Sequence, residues 1–207
     1  MRAPIAVAFA SLALAGAAQH SGDANLEHQV LVEINRARAD PAAYAGRLRA
    51  YRNLIGSDRV ARFPDNPIGL RTKEGTAAVD EAITFLARQK PLPPLVQAPA
   101  LARAAADHAA DQARSGRTGH IGQDGSNLGQ RVRRYGRSGS IAETISYGAT
   151  DAGGVVRQLI VDDGVPGRGH RRILFDSTYL YAGVGCGSHP AYRAMCVIDF
   201  SSTLPGK

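Results

Sequence analysis

Apolar residues recur at helical spacing through the first half of the chain and in short alternating runs through the last third. Leu26, Val30, Ile34, Ala37, Tyr44 and Leu48 fall on one face of a helix over residues 26–49. Asp40-Pro41 marks a break and a second start there, since Asp is a good N-cap and Pro fits a first helical turn. Residues 53–76 hold Gly56, Pro64, Pro67, Gly69 and Gly75 and are expected to form a long irregular loop. Helical periodicity resumes with Val79, Ala82, Ile83 and Leu86 until Pro91, Pro93 and Pro94 end it. It returns after Pro99 with Leu101, Ala104, Ala105, His108, Ala109 and Gln112 until Ser115-Gly116.

Beyond residue 116 the pattern shortens. Asp124-Gly125-Ser126-Asn127 can cap a short helix over residues 128–135, and Ile141, Ile145 and Tyr147 suggest a strand ended by Gly148. A helix over residues 151–161 buries Val155, Val156, Leu159 and Ile160. A loop over residues 162–169 leads to His170 and a short helical turn, and strands follow over residues 180–186 and 194–200. Helices first and antiparallel strands late imply an α+β fold, a small sheet covered by helices.

A chain of 207 residues, 44% of them hydrophobic, is sized for a single domain with one substantial core. Met1-Arg2, an apolar run over residues 3–14 and the small residues Ala15-Gly16-Ala17 read as a signal peptide over residues 1–18. Residues 19–207 are then the exported domain, periplasmic or secreted, with no integral membrane anchor, because no later run is long enough to span a bilayer. The net charge of +7 comes from Arg scattered along the chain. A phosphate-binding surface needs clustering, so nucleic acid is not an expected partner.

Export gives Cys186 and Cys196 a meaning. They lie in two apolar segments joined by a turn-rich stretch, and pairing of those segments as antiparallel strands would bring the Cβ atoms within bridging range. A metal site or two free thiols are the competing readings.

Three polar groups punctuate the apolar pattern between residues 119 and 173: His120, Glu143 and His170. Neutral imidazoles ligate divalent metals, and carboxylates orient imidazoles or accept protons. The chain lacks a His-Glu-x-x-His helix, a Gly-x-Ser-x-Gly elbow around Ser126 and a phosphate loop, which argues against familiar zinc-protease, serine-hydrolase and nucleotide chemistry. His108, inside an apolar stripe, reads as a core histidine bonded to a neighbouring loop. His189 reads as a hairpin-loop residue and His28 as a partly exposed helix residue.

The ordered segments Leu101–Asp111 around His108, Gly119-His120, Ala142-Glu143-Thr144-Ile145, Gly169-His170-Arg171-Arg172-Ile173-Leu174 and Tyr181-Ala182-Gly183-Val184-Gly185 resemble the CAP superfamily. This is the family of cysteine-rich secretory proteins, antigen 5 and pathogenesis-related 1, here in its bacterial secreted form, with the likeness running over about residues 26–200. The resemblance implies a three-layer α-β-α sandwich whose cleft presents two His and two acidic residues. His120 and His170 match the paired histidines and Glu143 the first acid, with Thr144 where the family usually has Asn. For the second acid the chain offers Asp162 or Asp163 in place of Glu, and Leu159 stands where many relatives carry Trp. The implied functions are divalent-metal binding, Zn²⁺ for example, through His120 and His170, with Glu143 orienting them or completing the shell. Lipid or surface-ligand binding and a peptidase-like hydrolysis in which Glu143 handles a proton are the alternatives. Whether the chain is an enzyme is left open, with a binding role favoured and an unnamed small molecule, lipid or surface ligand as the partner.

Overall fold

The computed structural model describes residues 11–64 and 66–206, with side chains from Asn25 onward except that of Pro67. In chain order the elements are α1 (Ser11–Ala39), α2 (Pro41–Arg52), β1 (Val60–Phe63), β2 (Asn66–Arg71), α3 (Thr76–Arg88), β3 (Val96–Gln97), α4 (Pro99–Ser115), α5 (Leu128–Arg133), β4 (Ile141–Tyr147), α6 (Ala152–Val161), α7 (Gly169–Leu174), β5 (Tyr181–His189) and β6 (Arg193–Ser201). The signal-peptide reading falls largely outside the described residues, which begin at Ser11. Among the described residues no helix is long and apolar enough to cross a membrane.

Local chemistry sets most boundaries. Asp40 caps α2 by accepting from Ala43 N at 2.9 Å, with Pro41 in the first turn. Gly116 closes α4 in the left-handed region, where the missing Cβ removes the steric cost. Asn127 and Gln130 form a reciprocal capping box that starts α5. Asp151 caps α6 through Gly154 N.

A four-stranded sheet, ordered β3-β5-β6-β4, forms the middle layer. β5 and β6 pair antiparallel, as do β6 and β4, while the two-residue β3 adds a parallel edge that the sequence pattern did not suggest. Alternation along the strands sends side chains to two cores. Cys196, Ile198 and Phe200 of β6 join Ala182 and Val184 of β5 in the larger core beneath α1 and α6. Met195 and Val197 point the other way and pack with Ile145 against Ala105 and Ala109 of α4. The result is the α-β-α sandwich.

Gly183 and Gly185 explain how tightly α4 sits on β5. A Cβ at either position would overlap the α4 backbone, at Leu101 and Ala102 for Gly183 and at Ala105 and Ala106 for Gly185. Cys186 and Cys196 face each other in the β5–β6 register, with Cα atoms 4.1 Å apart, and are joined by a disulfide. Among the described residues no cysteine is free.

Two expectations change. The stretch 53–76 is not wholly irregular: β1 and β2 form an antiparallel hairpin within it, with Val60 opposite Arg71 and Ala61 opposite Leu70. Pro64 lies in its turn and Pro67 and Gly69 lie within β2, where Gly69 adopts φ +75 against Val60 and Ala61. His189 is the last residue of β5, buried, with Nε2 against the Arg117 carbonyl at 3.1 Å. Tyr147 and Tyr192 cover its ring and exclude the solvent that a loop residue would meet.

Candidate functional site

The candidate residues come from a loop, a strand and a short helix, each bonded to a buried arginine. His120 lies in the loop between α4 and α5, its side chain 54% exposed. The loop is tied down at Gly119, whose N–H donates to the Tyr147 hydroxyl at 2.9 Å and whose carbonyl accepts from Gln112 Nε2 at 2.6 Å. His108 Nε2 lies 2.8 Å from the same carbonyl. His108 is therefore the buried histidine that fastens the loop, and burial depresses its pKa, which favours the neutral ring.

Glu143 sits on β4 with its carboxylate almost fully buried. Oε1 lies 2.8 Å from His120 Nδ1, and Oε2 accepts from Arg131 Nη2 at 2.6 Å. Arg131 is as buried as Glu143 and also donates through Nη1 to the carbonyls of His120 and Ser126, each at 3.0 Å. A fully buried carboxylate needs such partners. Burial pushes the Glu143 carboxyl up, but the hydrogen bond to His120 and the charge of Arg131 outweigh it, and the net direction is below the ordinary value.

The second pair stands on α7. His170 Nδ1 lies 2.6 Å from Asp162 Oδ1, and Asp162 Oδ2 accepts from the His170 backbone N–H at 2.9 Å. Asp162 is buried at the left-handed C-cap of α6, with φ +56. Its neighbour Asp163 turns away and accepts from the backbone of Lys73 and Glu74 at 2.6 and 2.8 Å. The acid beside His170 is thus Asp162.

One arginine fixes the loop before His170 and another the end of α7. Arg168 grips both carboxylate oxygens of Glu74, at 2.6 and 2.7 Å, and also bonds Glu81 and the Asp162 carbonyl. Its bond holds the Glu74 carboxyl down to about 2. Arg38, buried at the end of α1, donates to the Leu174 carbonyl at 2.8 Å and to the Pro93 carbonyl at 3.1 Å, pinning the end of α7.

The structure therefore brings His120 to Glu143 and His170 to Asp162. α7 packs against β4, the strand that carries Glu143. Among the described residues no group of three or more His, Cys, Asp or Glu side chains is placed to hold a metal ion. Each imidazole has Nδ1 on a carboxylate, and among the described residues neither Nε2 has a hydrogen-bond partner. This is the arrangement in which a carboxylate orients a ligating histidine and sets its tautomer. The groups left to meet a ligand are the two Nε2 atoms, one on each acid–histidine pair.

Sequence reading missed Arg131, Arg168 and Asp199. Asp199 carried a signal, a carboxylate inside the apolar run Val197-Ile198-Asp199-Phe200, which folded chains rarely bury without purpose. The arginines carried none, being members of a scattered set.

A solved extracellular protein containing an SCP domain from Bacillus anthracis str. Ames is similar at 22% identity and a TM-score of 0.46, over 53% of this chain and 34% of that one. An outer surface protein of Borrelia burgdorferi matches at 19% identity and 0.46, over 53% and 78%. A cysteine-rich secretory protein of Staphylococcus aureus matches at 18% identity and 0.42, over 54% and 33%. The chain spans about a third of the length of the Bacillus and Staphylococcus proteins. No curated protein matches it. The family model for the cysteine-rich secretory protein family matches residues 31–200, which include both acid–histidine pairs and the four-stranded sheet up to Phe200, and the chain belongs to that CAP family.

Proposed function

We propose that this is an exported, non-enzymatic binding domain whose cleft takes a divalent cation weakly through Nε2 of His120 and of His170. The observation that carries the reading is the matched pair of imidazoles, each with Nδ1 fixed by a buried carboxylate and Nε2 left for a ligand. Glu143 orients His120 and stays outside the metal's shell, because both of its oxygens are engaged. Two imidazoles with water in the remaining positions give modest affinity. The same engagement weighs against Glu143 as the base of a hydrolase, since hydrogen bonds to a carboxylate lower its basicity. Titration with Zn²⁺ tests the reading: wild type should bind and the His120→Ala/His170→Ala double variant should not. Identical isotherms would remove the metal.

A second reading, surface attachment, has its own observation. Ile68 is 88% exposed and Leu70 50% exposed on one face of β2, with Arg62 and Arg71 close by in the same hairpin. Apolar tips beside basic residues suit an anionic lipid surface. Sedimentation with anionic vesicles should be reduced in Ile68→Ser/Leu70→Ser, and unchanged sedimentation would end this reading.

A further inference from the structure

Glu143 has a neighbour whose chemistry the cleft leaves unused. Asp199 stands directly opposite Glu143 in the β4–β6 ladder, so the two side chains leave the same face of the sheet. Directly opposed residues have Cβ atoms about 4.5–5.5 Å apart, within reach of a carboxyl–carboxyl contact. Gly183 lies opposite Asp199 on its other flank and offers no side chain. Asp199 is wholly inaccessible, and among the described residues no donor reaches Oδ1 or Oδ2.

That combination decides the protonation state. A buried carboxylate without a donor is strongly unfavourable, and two ionised carboxylates in contact are worse. Glu143 is the member held ionised, by the buried guanidinium of Arg131 from α5 and the His120 ring from the loop, while His108 of α4 is a neutral ring. Arg131 acts on Asp199 only through space, since its Nη atoms are bound elsewhere and its Nε has no partner. The proton must therefore reside on Asp199, where its O–H has one acceptor to meet, the Glu143 carboxylate.

We propose that Asp199 is a protonated positioning residue whose carboxylic O–H donates to Glu143 and keeps that carboxylate turned toward His120 and Arg131. Burial and the Glu143 charge push the Asp199 carboxyl well above its ordinary value, in line with this. No proton moves in this role. Glu143 then receives hydrogen bonds from His120, Arg131 and Asp199, which makes it a poor base and a rigid support for the His120 ring. The consequence for metal binding rests on the functional reading above, whereas the protonated acid does not.

Two measurements on the full chain separate those claims. Infrared difference spectra at pH 7 between metal-free wild type and Asp199→Asn should show the C=O stretch of a buried protonated carboxyl in wild type alone. Absence of that band overturns the proposal. In Zn²⁺ titrations, Asp199→Asn keeps a donor and should bind within about twofold of wild type, whereas Asp199→Leu loses it and should bind about 10-fold more weakly. Equal affinity of folded Asp199→Leu and wild type overturns the positioning role, as does a 10-fold loss in Asp199→Asn. If no form binds Zn²⁺, the metal reading fails while the infrared band still decides the state of Asp199. The band and Asp199→Asn suffice should Asp199→Leu not fold.

Discussion

Replacing Arg131 by Met keeps a long apolar stem and deletes a guanidinium that serves Glu143, His120 and Ser126 at once. Its side chain is 2% exposed, as is that of Glu143, so solvent cannot compensate either charge. Removing one partner of such a buried pair costs about 3–5 kcal/mol, against a total stability of about 5–15 kcal/mol for a domain. The variant can limit the loss by placing a proton on Glu143, and that makes the deficit depend on pH. In wild type the Glu143 carboxyl lies below its unfolded value of 4.5, so its contribution is present above that pH and fades as pH falls through the native value. In the variant, burial beside Asp199 raises the native value above the unfolded one, and folding takes up a proton. The added cost then grows by about 1.4 kcal/mol per pH unit from pH 4.5 up to the new native value. Urea denaturation at pH 5 and pH 8 measures it. The expected deficit is about 3 kcal/mol at pH 5 and larger at pH 8, with about 2 kcal/mol recovered at pH 8 in Arg131→Met/Glu143→Gln. A deficit under about 1 kcal/mol, or one equal at the two pH values, would refute the reasoning.

Asp199→Asn should remove the opposite linkage: the wild-type acid takes up a proton on folding above its unfolded value of 3.8, so the variant gains stability relative to wild type as pH rises toward 8, readable by thermal melts. Gly185→Ala should cost about 3 kcal/mol in urea denaturation, because the added methyl meets the α4 backbone at Ala105 and Ala106, which has no rotamer to yield. Glu74→Ala removes one of the carboxylates on Arg168, which keeps Glu81 and the Asp162 carbonyl, and the pair is partly exposed, so about 1 kcal/mol or less is expected, together with faster hydrogen exchange at Gly164 N, whose acceptor is lost. Unchanged exchange there would show that the loop carrying Asp162 is held by other bonds.

What could be read before folding follows from the range of each interaction. Asp40-Pro41, Asn127 and Gly116 act within one helical turn, so their residue types alone marked helix ends, whereas the reach of Gln130 back to Asn127 and of Asp151 to Gly154 was seen only in the structure. The period-two runs of β5 and β6 placed Cys186 against Cys196 because an antiparallel register follows from a short turn. The hairpin in residues 53–76 was hidden because its strands are short and Pro64, Pro67 and Gly69 lie in its turn and second strand, as they would in an irregular loop.

The candidate site divides in the same way. His120, Glu143 and His170 stand out in the sequence as chemically capable residues in apolar or Gly-rich settings, and the order of the segments around them carried the family. Only the tertiary structure decided which buried groups meet them. Asp162 and Asp163 are adjacent and alike in sequence, and the left-handed turn at Asp162 points one carboxylate at His170 and the other at the backbone of Lys73 and Glu74, just before α3. Arg131 and Asp199 are 68 residues apart, and they reach Glu143 because α5 packs on β4 and β6 pairs with it. Contacts of that range are set by sheet register and helix packing, which no local pattern encodes, and they fix whether Glu143 is a base or a brace.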